Sequence, residues 1–320
     1  MKLHLTSAYE THESLDRLTK LASLDRVGTH TICASPREAD AILFVEDAHF
    51  NDYLYRRVLK HPLVNQYKTK TFIYTEADKP YHVLPGLYCN MPSNRFRKDV
   101  HQAFPFVRSM NQYVKHISQW DIEQDWAFSF VGSMSHRLRR SILKFSHLSP
   151  GVRDTSEFDF WHATEQEKAS QGMVFAESMS RSRFILCPRG IGTASFRPFE
   201  AMQAGRAPVI ISDQWVPPPQ VNWDFAVFVP EAEINGIPDL LESIRDEAFE
   251  RGRAARAAWE STYAPDVMFN TTATSVNELL ANKISTQQTD REQTDVFEFG
   301  RWITELQMSV RDMTKAYRQI

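Results

Sequence analysis

The sequence predicts an α/β protein of two lobes, each a parallel sheet covered by helices. Short apolar runs alternate with segments of helical period, the pattern of strands joined by crossover helices. The alternation fades before residue 126 and restarts at Trp126. A chain of 320 residues is also long for a single hydrophobic core, so two cores are the natural division.

In the first lobe, 1–125, the run 3–6 reads as a strand and 15–24 as a helix. Strand 41–45, helix 53–60 and strand 71–75 follow. Between 80 and 105 Pro, Asn and Gly punctuate the chain, which predicts a long irregular surface segment of the kind that often serves function. The second lobe, 126–284, opens with strand 127–131, a turn over 132–135 and a basic helix over 136–145. Helix 173–181 leads into strand 183–187, and helix 195–204 stops at Gly205. Strands 208–212 and 225–229 and helix 238–244 complete the lobe. In the tail, 285–320, a polar linker precedes Phe299, Trp302, Leu306, Val310, Met313 and Tyr317 at helical spacing. That stripe predicts a C-terminal amphipathic helix in need of cover. The cover is expected from the lobes themselves, with a homodimer contact or a membrane surface as the alternatives.

Composition narrows the function classes. Hydrophobic residues make up 42% and charged residues 24% of the chain, as in ordinary globular proteins. A formal charge of −3 offers no global attraction to polyanions, so no nucleic-acid partner is expected. The first residues contain no apolar run long enough for a signal peptide. The apolar stretches 41–45 and 208–211 fall far short of the roughly 20 residues that span a bilayer, so no transmembrane segment is expected. Cys33, Cys89 and Cys187 stand far apart and odd in number, which predicts neither a disulfide framework nor a zinc site. These features point to a reducing, cytoplasmic compartment.

The most informative stretch is RFILCPRGIGTASFRPFEAM, residues 183–202. A buried strand runs into the loop 188–194, with Pro188, Gly190 and Thr193, and then into a helix with Ser195 as N-cap and Pro198 in its first turn. The free N–H groups and positive end of that helix suit a phosphate, and the glycines let the backbone approach a ligand. Arg189 and Arg197 add donors suited to a diphosphate. Glu200 either pairs with Arg197 or accepts hydrogen bonds from a ribose diol. Such a strand–turn–helix unit with an Arg–Glu pair is also common architecture, and the loop alone does not separate the two readings.

The surroundings of the loop add specificity. Ser182-x-Phe184 leads to Cys187-Pro188-x-Gly190, then Ser195-x-Arg197-x-x-Glu200-Ala201. Gly205-x-x-Pro208-Val209-Ile210 follows, then Ser212-Asp213 and Asn222-Trp223. Upstream, Phe130-Val131-Gly132-Ser133 precedes Arg137 and Arg139. In order and spacing these elements resemble the exostosin glycosyltransferase domain. The resemblance implies a GT-B fold: two Rossmann-like lobes facing a cleft, with the nucleotide on the C-terminal lobe. It also implies inverting transfer, usually from a UDP-sugar, and places Arg197 and Glu200 on the family's most diagnostic positions. The short first lobe departs from the family pattern and leaves the acceptor open.

In such a transfer the departing nucleoside diphosphate gains negative charge that must be stabilised. No Asp-x-Asp triplet for a metal occurs in the sequence. Metal-independent catalysis is therefore expected, with no cofactor and with Arg137, Arg189, Arg197 and helix N-termini carrying the charge. Among Arg137, Arg139 and Arg140, Arg137 is the choice because it lies nearest the Gly132–Ser133 turn; a solvated basic face is the alternative. Inversion also needs a base opposite the leaving group, at the C-terminal end of a first-lobe strand. Strand 41–45 runs into Glu46 and Asp47, with His49 close behind, and strand 71–75 into Glu76 and Asp78. The candidate bases are Glu76, Asp78 and Asp47, with a preference for the first two, whose following segment would form an acceptor groove. The loop 214–223 brings Trp215 and Trp223 either to a sugar face or to the core, and Cys187 reads as a small buried hydrophobe.

The function expected is an inverting, metal-independent transfer from a UDP-sugar to a glycan acceptor. The alternatives are a catalytically silent nucleotide-sugar-binding partner of another transferase, and a GT-B transferase using GDP-fucose or another nucleotide sugar. A two-lobe solute-binding protein would carry an export signal, and none is seen.

Overall fold

A computed structural model describes residues 1–49, 51–108, 111–119, 122–159 and 162–287. The tail helix expected beyond 287 lies outside the described residues. The first lobe holds β1 (Lys2–Thr6), α1 (Glu13–Leu24), β2 (Thr31–Ile32), β3 (Ala41–Glu46), α2 (Arg56–Lys60), α3 (Pro62–Gln66), β4 (Thr71–Thr75), β5 (Gly86–Tyr88) and β6 (His101–Ala103). The second holds β7 (Trp126–Gly132), α4 (Arg137–Leu143), β8 (Val152–Asp154), α5 (Glu165–Ser180), β9 (Ser182–Pro188), α6 (Arg197–Ala204), β10 (Ala207–Ile211), β11 (Val227–Phe228), α7 (Ile237–Ser243) and α8 (Ala248–Thr262). The last described helix, α9 (Met268–Gln287), returns to the first lobe and packs on α1, β3, β5 and β6. The alternation in the sequence had grouped this stretch with the second lobe.

Both sheets are parallel. Their strand orders are β2-β1-β3-β4-β5-β6 and β11-β10-β9-β7-β8. Each order reverses once, between β1 and β3 in the first sheet and between β7 and β9 in the second. Such switch points open a crevice at the carboxyl ends of the strands. The sequence chooses this fold because its central strands carry unbroken apolar runs: AILFV in β3 is followed only by Glu46, and every residue of the strand is buried, as in a sheet covered on both faces. One apolar cluster runs from Leu3, Leu43 and Phe72 in the first lobe to Ile185, Met202 and Phe269, and separate clusters fill the remaining face of each sheet.

Three expectations need correction. The segment 80–105 is not simply an irregular surface: it contains β5 and β6, all of whose residues are buried. Three-residue strands have no apolar run of their own and form because β4 offers them a ladder. Helix 173–181 begins earlier, at Glu165, where Thr164 and Glu167 form a reciprocal capping box. Helix α6 starts at Arg197 with Phe196 as its N-cap, while the Ser195 hydroxyl accepts the Arg197 N–H at 3.2 Å. Its end is as expected, with Gly205 left-handed at φ 68°. Among the described residues no helix is long and apolar enough to cross a membrane.

Candidate functional site

The carboxyl ends of the two sheets face each other across a cleft of about 630 Å³. The second-lobe wall is built from the ends of β7 and β9. Strand β7 delivers Gly132 and Ser133; the loop after β9 delivers Gly190, Ala194 and Ser195; helices α4 and α6 bring Arg139, Arg197 and Glu200.

Arg197 lies across the end of β7. Its Nη2 donates to the Val131 carbonyl, and its guanidinium sits 4.7 Å from the Phe130 ring centre and 5.6 Å from that of Phe175. Gly132 makes room for it, since a Cβ there would fall 2.1 Å from Arg197 Nη2. The Nε atom is enclosed and has no hydrogen-bond partner among the described residues. Burial pushes the Arg197 pKa down, opposed by the nearby charge of Glu200. Arg139 is 7% exposed and donates from Nε to the Arg189 carbonyl and from Nη1 to the Ser133 carbonyl, each at 3.0 Å. Its pKa is pushed down to about 9, chiefly by burial and further by the charge of Arg197, with Asp78 opposing. No ion pair joins either arginine to a carboxylate among the described residues. Two desolvated cations beside unblocked backbone turns form a site that gains from an incoming anion. Glu200 shares this enclosure; burial raises its carboxyl to about 7 against the pull of Arg197.

The other predicted donor-site residues divide. Gly132, Ser133, Gly190 and Ser195 line the cleft. Arg137, preferred from its position in the chain, is exposed and lies outside the lining. It begins α4, and two residues further on a helix turns the side chain through about 200°, which takes Arg139 into the cleft and Arg137 away from it. Arg189 turns toward Glu231, with Nη1 3.8 Å from its carboxylate, and is also outside the lining. Pro188 closes β9, and Thr193 is buried at the seam between the lobes, where its hydroxyl donates to the Asn90 carbonyl at 3.0 Å. Trp215 and Trp223 meet edge to face in the core at 5.0 Å, and Trp223 Nε1 donates to the Pro218 carbonyl at 2.8 Å. Of the two roles open to these tryptophans, anchoring the loop is the one they take. Cys187 is buried, and burial pushes its thiol pKa up.

On the first-lobe wall the three predicted carboxylates differ in how much they are used. Glu76 is buried and accepts Tyr74 Oη–H and Arg108 Nε–H, both at 2.6 Å. Asp47 accepts the Ser14 hydroxyl at 2.5 Å and the Ser14 N–H at 3.2 Å at the start of α1, with Arg108 Nε 3.8 Å away. Both are committed to holding the fold. Asp78 reaches solvent at the cleft mouth. Desolvation between the walls raises its pKa, while the Gly192 N–H that it accepts, Lys79 and Arg139 pull it back. Asp78 therefore lies against the loop 188–194 of the second lobe. Among the described residues no group of three or more His, Cys, Asp or Glu side chains is placed to hold a metal ion.

Asn90 was not anticipated. It is buried at the end of β5; its Nδ2 donates to the carbonyls of Glu76 and Ala77, and its Oδ1 accepts the Ala194 N–H at 3.0 Å. A Cβ on Gly192 would stand 2.4 Å from that Oδ1. The glycine therefore serves the seam between the lobes. No sequence signal marks Asn90, whereas Arg139 was detectable from sharing the buried face of α4 with Leu138 and Ile142.

Two Rossmann-like lobes, a cleft between their switch points and a cationic turn on the second lobe define a protein of the GT-B class. The chain belongs to the exostosin GT47 family, whose domain model, the Exostosin GT47 domain, matches residues 61–244. It is 33% identical over 113 residues to an exostosin-1 homologue of Caenorhabditis elegans, covering 34% of this chain and 26% of that protein. To a probable glycosyltransferase of Arabidopsis thaliana it is 38% identical over 88 residues, 27% of this chain and 19% of that one. These alignments thus span about a quarter or less of the relatives' lengths. Among solved structures, a glycosyltransferase from Rickettsia africae is similar over 87% of this chain and 98% of its own, at 11% identity and a TM-score of 0.41.

Proposed function

We propose that this protein is an inverting glycosyltransferase that moves a sugar from a UDP-sugar to a glycan acceptor without a metal ion. The observation that carries the reading is the pair Arg139 and Arg197. Both are drawn out of water beside the Gly132 and Gly190 turns, and neither is neutralised by a carboxylate ion pair among the described residues. A diphosphate bridging them would supply the missing counter-charge. As the bond from the anomeric carbon to phosphate breaks, the arginines and the first turn of α6 would stabilise the leaving oxygens. Glu200, one turn beyond Arg197, would accept from the ribose diol. The acceptor would approach from the first-lobe wall, so that attack and departure lie on opposite faces of the sugar.

The test is calorimetric titration with UDP, GDP, CDP and ADP, first in EDTA and then with magnesium. Micromolar UDP binding in EDTA is expected, weakened at least about tenfold by Arg197→Ala or Arg139→Ala through loss of a charge-assisted contact. Preference for GDP would move the donor to another nucleotide sugar. Binding that requires magnesium would overturn the role given to the arginines, and no binding to any nucleotide would sink the reading.

A further inference from the structure

The switch point of the first lobe holds a cluster that the donor site does not use. The loops that follow the paired strands β1 and β3 part there, and Glu46, the last residue of β3, reaches across to the first of them. It is fully buried and accepts the Ser7 hydroxyl at 2.8 Å and the Ala8 N–H at 2.9 Å from the loop after β1. His49 lies over it, with Nε2 3.6 Å from Glu46 Oε2. The imidazole is held in place by aromatic contacts: it stacks on Tyr9 with ring centres 3.6 Å apart, and the edge of Tyr55 meets it at 5.8 Å. Nε2 is enclosed and makes no hydrogen bond among the described residues. The ring is 11% exposed and lines the cleft, which leaves the Nδ1 edge as the side that meets the cleft.

We infer that His49 is the general base that deprotonates the acceptor hydroxyl, with Glu46 as the positioning carboxylate behind it. This rests on the transferase reading above. The acceptor oxygen attacks the anomeric carbon as its proton passes to Nδ1 of His49. The bond to the diphosphate breaks, and the nucleotide leaves with the electron pair. The imidazolium so formed holds its second proton on Nε2, facing Glu46; closing the 3.6 Å gap by about 0.7–0.9 Å makes a charge-assisted hydrogen bond, a tightening common when substrate enters. Position separates His49 from the carboxylates. Asp78 accepts the Gly192 N–H and so sits with the leaving group, whereas inversion needs its base on the other side. Glu76 and Asp47 are occupied by Arg108 and by the start of α1. His49 alone of these groups combines a buried carboxylate behind it with a nitrogen toward the cleft, at the crevice where parallel sheets bind ligands.

The test measures UDP release from UDP-glucose and UDP-N-acetylglucosamine, with water or added glycans as acceptor, beside calorimetric UDP binding. His49→Gln is expected to lower kcat about 10²–10⁴-fold, the usual worth of a general base, with the Kd for UDP unchanged within about twofold. Glu46→Gln is expected to lower kcat per UDP-binding site counted by calorimetry while leaving the donor KM in place, since a misfolded fraction would lower the number of sites and not the turnover of each. Near-normal kcat in His49→Gln would overturn the assignment and leave the transferase reading intact. UDP binding without UDP release in the wild type would overturn the transferase reading and the base with it. A readout free of activity is carbethoxylation by diethyl pyrocarbonate followed by mass spectrometry. His49 is expected to be labelled and to be protected when the cleft is filled, while buried His101 stays unmodified. An unlabelled His49 beside a labelled His162 would mean that no ring nitrogen faces the cleft, and would also overturn the assignment.

Discussion

At Glu200 the folded environment raises the carboxyl to about 7 from an ordinary 4.5. A carboxyl whose folded pKa is raised favours its neutral form in the native state. Its contribution is therefore present below the unfolded pKa and is lost as pH rises through the folded one. Without ligand, the protein should lose stability between about pH 4.5 and pH 7 through this group. The loss is at most about 3 kcal/mol, reduced by the solvent that reaches the carboxylate across the cleft. Glu200→Gln should flatten that slope and be the more stable protein at pH 8, read from melting curves at several pH values. Equal slopes in the two proteins would show that the carboxyl is better solvated than its enclosure beside Arg197 implies. Gly132 shows the same logic of space: the residue type was legible as a turn, but the reason for it is the Arg197 guanidinium lying where a Cβ would be.

Among the elements, the first-lobe sheet depends on a residue that no turn explains. Gly86 opens β5 with ordinary backbone, yet a Cβ on it would fall 1.9 Å from the Ile73 carbonyl oxygen of β4. That atom belongs to a central strand and cannot swing aside, so β5 would have to leave its ladder. Gly86→Ala should destabilise by about 3 kcal/mol, the upper range for overpacking, measured by urea unfolding; a loss below about 0.5 kcal/mol would mean that the strands separate freely. Several of the longer elements were readable: β3 and β4 as unbroken apolar runs, and β9–α6 as strand, loop and helix closed by Gly205. The elements missed include β2, β5, β6 and β8, two or three residues long and shaped by their neighbours, and the short α3. Two long helices were missed as well: α8, whose buried face is the small residues Ala248, Gly252 and Ala255, and α9, which packs on α1 and on the first sheet.

Across the whole molecule, the lobes are tied beside the donor loop. Asn90 joins the end of β4 to Ala194, the Thr193 hydroxyl reaches the Asn90 carbonyl, and Phe106 stacks on Phe196 at 4.0 Å. Asn90→Ala removes the partner of a buried N–H, which costs about 1–3 kcal/mol. The melting temperature should fall, and the Kd for UDP should rise several-fold because the loop between Gly190 and Arg197 loses its outside support. A lower melting temperature with unchanged UDP affinity would show that the donor loop holds its own shape.

The sequence by itself determined the α/β class, the restart of the pattern at Trp126, the family and the strand, glycine loop and helix that end in α6. These follow from neighbouring residues, through periodicity, caps and glycines at fixed spacing. Only the tertiary structure decided which charges share the cleft. It put Arg139 in and turned Arg137 and Arg189 out, because the direction of a side chain on a helix or strand end depends on where its element packs. It also tied Glu76 and Asp47 into the fold and brought Glu46 under His49, since pairings between residues on separate elements exist only once the two sheets have assembled.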